Sequence, residues 1–406
     1  MEESFTFRSQ NYQKQLRLLQ QDPIAFDLRF AFYLFVASIP LEVYAIFQNV
    51  SIPKILAAVF LIIIAVRGKL ILRMPEIPFW FFLCYLSMIA LSIQWLNPFF
   101  FGYWRMRLIQ LIQLLLTFWI CSILMSYKRI VQGAMAFYSY TVLFSIVLVN
   151  LKVPGFVAQE AVKIYGERAT VGLSDPNSFT FNLGVSLIYF VERMINYFIF
   201  RKKISLTYLI IIVYLLVNVT MAGSRGGQIG ILIGLVTFIL TGDYGFKRGQ
   251  MVAIILTVLI LFVVSVFTNQ EMKERWEETF TEGRASGRET VWPEAINMIK
   301  REPVLGYGPG EHVYILGPPT GKERRDPHST FIWVIHEVGL VGGIPFIIGF
   351  LYCGVIAYKK RKGSLGSIPI SLFLLALVAN NDYTALYDKT TWFVLAIAAS
   401  REIQKH

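Results

Sequence analysis

Along this chain apolar runs recur roughly every 25 to 40 residues, separated by short polar stretches. Each run is about long enough to cross ~30 Å of hydrocarbon as a helix. In lipid every backbone amide has to be satisfied within its own segment, which makes such runs helical. A β-barrel would instead alternate apolar and polar residues in segments of about ten, and no such alternation is present. The pattern predicts an all-α polytopic membrane protein of about twelve transmembrane helices, near 28–47, 52–67, 76–95, 104–125, 129–150, 177–199, 204–222, 226–241, 251–268, 329–357, 367–379 and 390–402. The eleventh is short and open to a partly re-entrant reading. The chain then divides into a cytoplasmic N-terminal segment (1–27), nine spans (28–268), one long loop (269–328), and three spans with a short cytoplasmic tail (329–406). Met1 to Asp22 is polar, and reads as a cytoplasmic stretch rather than a cleavable signal peptide.

Charge gives the spans a direction. Only 16% of the 406 residues are charged, against about a quarter in soluble proteins. The net charge of +12 and mean hydropathy of +0.56 occur together. In a soluble chain such a balance would suggest nucleic acid; here Lys and Arg mark cytoplasmic loops, and no nucleic-acid partner is expected. With the N-terminus inside, twenty Lys and Arg flank the inner side and eight lie in short outer loops. A further nine lie in the long loop 269–328, which counts for less. Both sizeable loops, 151–176 and 269–328, fall outside, where long loops tend to be functional. Cys84, Cys121 and Cys353 all sit in apolar runs and show no ligand spacing. Neither a metal nor another cofactor is expected.

Candidate chemistry gathers on that outer side. Arg168, Arg225 and Arg288 stand apart from any Lys/Arg cluster: the first in Gly166-Glu167-Arg168, the second in Ser224-Arg225-Gly226-Gly227, the third in Ser286-Gly287-Arg288. A guanidinium is a rigid fork of donors that suits phosphate, and the glycines beside Arg225 permit close approach of a bulky group. Each arginine alone is equally well read as snorkelling to headgroups; three on one face favour an anion site. Thr290 and Pro293 suggest a helix of about 291–301 capped by Thr290, placing Arg288 at an amide-rich helix start. Val291, Trp292, Ile296 and Ile299 suit either a membrane-surface helix or an ordinary docked one. His328 ends the long loop where the chain re-enters the membrane, and a neutral imidazole there can take a proton from a hydroxyl. His336 lies about 12 Å deeper along a helix. Glu337 is an intramembrane ionisable group that needs a partner or a role: an outer arginine, or a structural hydrogen bond. The first outer loop, Gln48 to Pro53, has no carboxylate, and only Glu42, inside the first span, comes near.

Several of these residues form a set. Arg168 with Asp175-Pro176-Asn177, Ser224-Arg225-Gly226-Gly227, Gly287-Arg288 with Trp292, Pro303 to Gly308, and His328-Ser329 with Glu337-Val338-Gly339 and Gly342 occur in this order over residues 165–345. In this order the chain resembles the O-antigen ligase/polymerase superfamily of bacterial envelope glycosyltransferases. The resemblance implies a C-type glycosyltransferase fold in the inner membrane, and a glycan donor carried on undecaprenyl diphosphate. It also implies a glycolipid or glycan acceptor and, for the ligase branch, no metal. By motif, Arg225 and Arg288, with Arg168 as a third cation, would hold the diphosphate, and His328 would activate the acceptor hydroxyl. Glu337, Asp175, Asn177 and Trp292 would support them. Ser329 departs from the pattern, where Asn is as common. A ligase is preferred over a polymerase, which differs in its acceptor. From another class, a transporter or lipid flippase would place its charges near the midplane on broken helices, often in repeated halves; here the charges gather at one face.

Overall fold

The computed structural model describes residues 24–42, 45–47, 50–67, 73–153, 175–245, 247–283, 287–316 and 326–401. Arg168 lies outside them. Helices occupy all twelve expected places: α1 (Phe26–Ser38), α2 (Ile52–Arg67), α3 (Ile77–Leu91), α4 (Phe101–Leu124), α5 (Lys128–Asn150), α6 (Pro176–Arg201), α7 (Leu206–Met221), α8 (Arg225–Thr241) and α9 (Arg248–Thr268) come first. The long loop then holds α10 (Gln270–Glu282), α11 (Arg288–Arg301) and α12 (Glu311–Ile315), before α13 (Thr330–Lys359), α14 (Ile368–Asp382) and α15 (Lys389–Ala399). Six of these segments are long and apolar enough to cross a membrane, and five more are shorter apolar helices. The protein is an all-α polytopic membrane protein.

Burial explains the short helices. From Val394 to Ala399 every side chain of α15 is buried, and α14 is nearly so, which is the signature of a helix enclosed by others. They pack on α4 and α13, and on α8 and α13, respectively. By contrast α9 exposes Leu256, Ile260, Leu261 and Phe267, as a helix facing lipid does. An 11-residue helix is about 16 Å long, roughly half the hydrocarbon thickness. The 383–388 turn joining α14 to α15 is therefore recessed inside the bundle, with Tyr383, Ala385 and Leu386 buried. At the opposite end Lys360 donates to the carbonyls of Ile397 (3.1 Å) and Ser400 (2.5 Å), a cationic cap on the last turn of α15. Arg401 pairs there with Glu76.

Three expectations need correction. The first span does not run to residue 47. Pro40 opens a 3-10 turn, Ile39–Leu41, and a short antiparallel pairing of Ala45–Phe47 with Val50–Ser51 follows. Glu42 consequently stands beyond the helix, paired with Lys389. The helix expected at 291–301 begins at Arg288, because Gly287 takes φ 85° and caps it; Thr290 is already inside, its hydroxyl bonded to the Gly287 carbonyl at 2.8 Å. The run 329–357 is two helices meeting at Val338–Gly339, where Gly339 has φ 61° and ψ −165°.

That break is filled by the chain. Pro303 to Gly308 inserts into it: Tyr307 and Gly308 donate to the freed carbonyls of His336 (2.9 Å) and Glu337 (2.8 Å), and the amide of Leu340 donates to Pro303 (2.8 Å). A side chain on Gly339 would lie 2.1 Å from the Val304 carbonyl oxygen, and one on Gly306 would lie 2.5 Å from that of His336. Backbone meets backbone here, so no other residue fits.

Candidate active site

Four separated stretches of chain meet at the end of α14. On the first, Asp175 accepts from the Asn177 amide (2.7 Å) and starts α6. Asn177 Oδ1 accepts from Ser224 Oγ (2.7 Å), and Asp382 Oδ2 lies 3.3 Å from the same hydroxyl. Ser224 is buried and caps α8 by accepting from the Gly227 amide at 3.0 Å. The glycines after Arg225 face protein, not open space: a Cβ on Gly226 would strike Asp382, and one on Gly227 would strike Thr180. Their smallness lets α8 approach α14 and α6.

The arginines ring this point. Arg288 Nη2 donates to Asp382 twice, to its carbonyl and to Oδ1, each at 2.5 Å. The Arg288 Nε is buried with no partner among the described residues. Arg225 Nη1 donates to the Arg275 carbonyl and the Thr279 hydroxyl, while Arg275 Nη1 donates to the Gly223 carbonyl at 2.5 Å. Arg275 and Arg288 both lie within electrostatic reach of Arg225, as do the acids Glu278 and Asp382. Three residues after Arg225, Gln228 opens an apolar cavity of about 540 Å³ between α6, α7, α8 and α9.

His328 arrives from the other side. Its backbone is in the left-handed region (φ 50°), held by its amide donating to Asp326 Oδ1 at 2.6 Å. The same oxygen accepts from Thr384 Oγ1 at 2.6 Å. Ser329 Oγ lies 3.5 Å from Asn381 Oδ1 and caps α13; Thr330 Oγ1 accepts from the Ala385 amide at 2.9 Å. Trp292 Nε1 donates to the Pro327 carbonyl at 2.9 Å, fixing α11 beside the histidine. The imidazole itself is half-buried and makes no hydrogen bond among the described residues. Arg225, Arg288, His328, Asn177 and Trp292 are thus gathered around residues 381–385, with Asp175 one step behind.

Glu337 is elsewhere. It is fully buried, and Tyr85 donates to its Oε2 at 2.5 Å, with Tyr387 Oη 3.5 Å from Oε1. Of the two roles open to it, the structural hydrogen bond is present, and the guanidinium of Arg107, an outer-side arginine, also lies within electrostatic reach. Helix α11 is docked on α13 through Val291, Ala295 and Met298, with His336 Nε2 2.8 Å from the Ala295 carbonyl. His312, on α12, is buried against Trp333 with its Nδ1 3.2 Å from the Gly308 carbonyl. Burial, reinforced by His336, pushes its imidazole down to about 3, so it is neutral.

Asp382 and Arg275 were not singled out from the sequence. The signal for the first was Asn380-Asn381-Asp382, three polar residues closing an apolar run. Arg275 offers none, since it reads as one cation of a charged helix.

These features define a polytopic membrane protein with a cationic, histidine-bearing site at one end of its helices. Residues 210–347 match the family described as O-antigen ligase, a stretch that takes in Arg225, Arg288, His328 and Glu337. An O-antigen ligase of Pseudomonas aeruginosa is 23% identical over 178 residues, 43% of this chain and 41% of that protein. The chain therefore spans about two fifths of that relative's length. The two matches support membership of the O-antigen ligase/polymerase superfamily.

Proposed function

We propose that the protein is a glycosyltransferase of the O-antigen ligase type. It transfers a glycan from undecaprenyl diphosphate to an acceptor hydroxyl at the periplasmic face of the inner membrane. The observation that carries this reading is the gathering of Arg225, Arg288 and His328 around the end of α14, within the matched stretch. Asp382 holds the Arg288 guanidinium in place through Nη2, and the side chain, still 22% exposed, offers the rest of its fork to the diphosphate. The apolar cavity that starts at Gln228 suits the polyprenyl chain, since it begins one turn from Arg225.

In the reaction the acceptor oxygen attacks the anomeric carbon and its proton passes to His328. The bond from that carbon to the diphosphate oxygen breaks, and undecaprenyl diphosphate leaves with the bonding electrons. Charge grows on the leaving group, so fixed guanidinium groups stabilise the transition state more than the ground state. One base opposite the leaving group gives a single displacement with inversion, without need of a metal. The test is transfer in proteoliposomes supplied with labelled lipid-linked donor and acceptor. The wild type forms a covalent product, and His328→Ala and Arg288→Ala abolish it while remaining inserted. Normal transfer by both variants, or translocation of the donor without product, overturns the reading.

A further inference from the structure

A cavity of about 870 Å³ opens on the other side of the 383–389 turn, between α1, the start of α2, and α4. Its composition is graded. Lys54, Arg105, Arg107 and Lys389 stand at the mouth with Glu42, the one carboxylate among the described lining residues, which pairs with Lys389. The walls then become mainly apolar, through Phe60, Leu61, Leu114 and Ile120, with Gln110, Gln113 and Thr117 interspersed along α4. On α4 the lining runs from Gly102 to Ile120, about 27 Å of helix and close to the thickness of the hydrocarbon.

Two polar groups at the mouth are buried and have no partner among the described residues. Ser51 is 7% exposed and its Oγ is one of them. Arg107 is fixed by Tyr103 Oη (2.6 Å) and Gln110 Oε1 (3.2 Å), lies 3.9 Å over the Tyr387 ring and is within electrostatic reach of the buried Glu337, yet its Nε has no hydrogen-bond partner among the described residues. A net positive mouth over an apolar trough of this length is complementary to an amphiphile with an anionic head. Simple snorkelling does not require a buried, immobilised guanidinium with a donor left over.

We infer that this cavity is a second lipid site, which takes the phosphorylated headgroup of the acceptor lipid at its mouth and an acyl chain along α2 and α4. The inference rests on the transferase reading given above. It sets two lipid substrates on opposite flanks of one turn, the donor against Asp382 and the acceptor against Tyr387 and Lys389. The recessed turn is then where a hydroxyl of one meets the anomeric carbon of the other.

Native mass spectrometry of the detergent-purified full chain tests this with three probes: diphosphoryl lipid A, phosphatidylglycerol and undecaprenyl diphosphate. Lys54 and Arg105 are exposed, so Lys54→Ala/Arg105→Ala leaves the packing intact. That double variant lowers retention of diphosphoryl lipid A at least tenfold and leaves undecaprenyl diphosphate unchanged; Arg288→Ala does the converse. Equal retention of lipid A by the wild type and the double variant overturns the inference. So does retention of phosphatidylglycerol as strong as that of lipid A, which would mean bulk phospholipid only. Absence of transfer with lipid A in the proteoliposome assay would count against the transferase reading, while the charge-dependent retention stands by itself.

Discussion

Two polar regions lie along the first half of α13, and they are built on opposite principles. At its start, around His328, Arg288 and Asp382, donors are left over: the Arg288 Nε is buried without a partner and the His328 imidazole is unbonded among the described residues. Two turns further on, around Glu337 and Gly339, the backbone groups freed by the helix break are matched to one another, although the ring nitrogens Trp333 Nε1, His336 Nδ1 and His312 Nε2 nearby have no partner among the described residues. The carbonyls freed by the helix break are taken by Tyr307 and Gly308, and the carboxylate by Tyr85. Burying a polar group without a partner costs roughly 1–3 kcal/mol, and beside a half-buried, unbonded imidazole a ligand is what would offset that cost. On the proposed function the first region is a place for a ligand, and the second is a clasp holding the loop that builds it. Changes in the clasp should lower stability, whereas changes at the rim should lower activity alone.

The largest effect is expected in the clasp. Gly339→Ala asks a residue with a Cβ to adopt a conformation open essentially to glycine, at about 1–3 kcal/mol. It also drives the Val304 carbonyl away and breaks the bonds that seat 303–308, each worth about 1 kcal/mol. A total near 5 kcal/mol is expected, seen as a large drop in melting temperature in detergent and loss of folded protein. If Gly339→Ala melts like the wild type, the insertion is not what secures the loop.

At the rim, His328→Asn separates the two principles. Asparagine tolerates the left-handed backbone that His328 adopts, so melting is unchanged. Loss of a general base lowers transfer by about 10³-fold, roughly 4 kcal/mol of barrier. A fall in activity accompanied by an equal fall in stability would place His328 in the clasp instead.

This division also separates what was legible in the chain from what was not. The twelve helices follow from run length and apolarity, properties each segment carries alone. Arg225, Arg288 and His328 stood out because charge is rare beside such runs. The break at Gly339 was hidden because it exists only with a partner: Glu337-Val338-Gly339 reads as continuous helix until Pro303 to Gly308 supplies the missing bonds. Asp382 was hidden for a related reason. It ends an apolar run like any polar terminus, and only the approach of Gly226 and Arg288 makes it the anchor.

Tyr85→Phe acts on the clasp with less force. It removes the 2.5 Å bond to Glu337 and leaves the buried carboxyl with the Tyr387 hydroxyl 3.5 Å away and the Arg107 guanidinium within electrostatic reach. A loss of about 2 kcal/mol in stability is expected, with transfer per folded molecule unchanged. Glu337→Gln, which still accepts from Tyr85, should lose less. Should Tyr85→Phe reduce turnover while melting normally, Glu337 belongs to the chemistry and the comparison fails.

The smallest effect is a dependence on pH. His312 sits under the inserted loop with its imidazole held near 3, well below 6.5, chiefly by burial. The sign follows from linkage: below pH 6.5 the unfolded chain binds a proton that the folded chain refuses. Stability is complete above that pH and falls as the pH drops towards 3, by about 1 kcal/mol per unit. Melting temperatures at pH 7 and pH 5.5 should therefore differ more for the wild type than for His312→Leu, which has no proton to bind. An identical slope for the two proteins would mean that His312 is already solvated when the loop is seated, and that this part of the clasp is open to water.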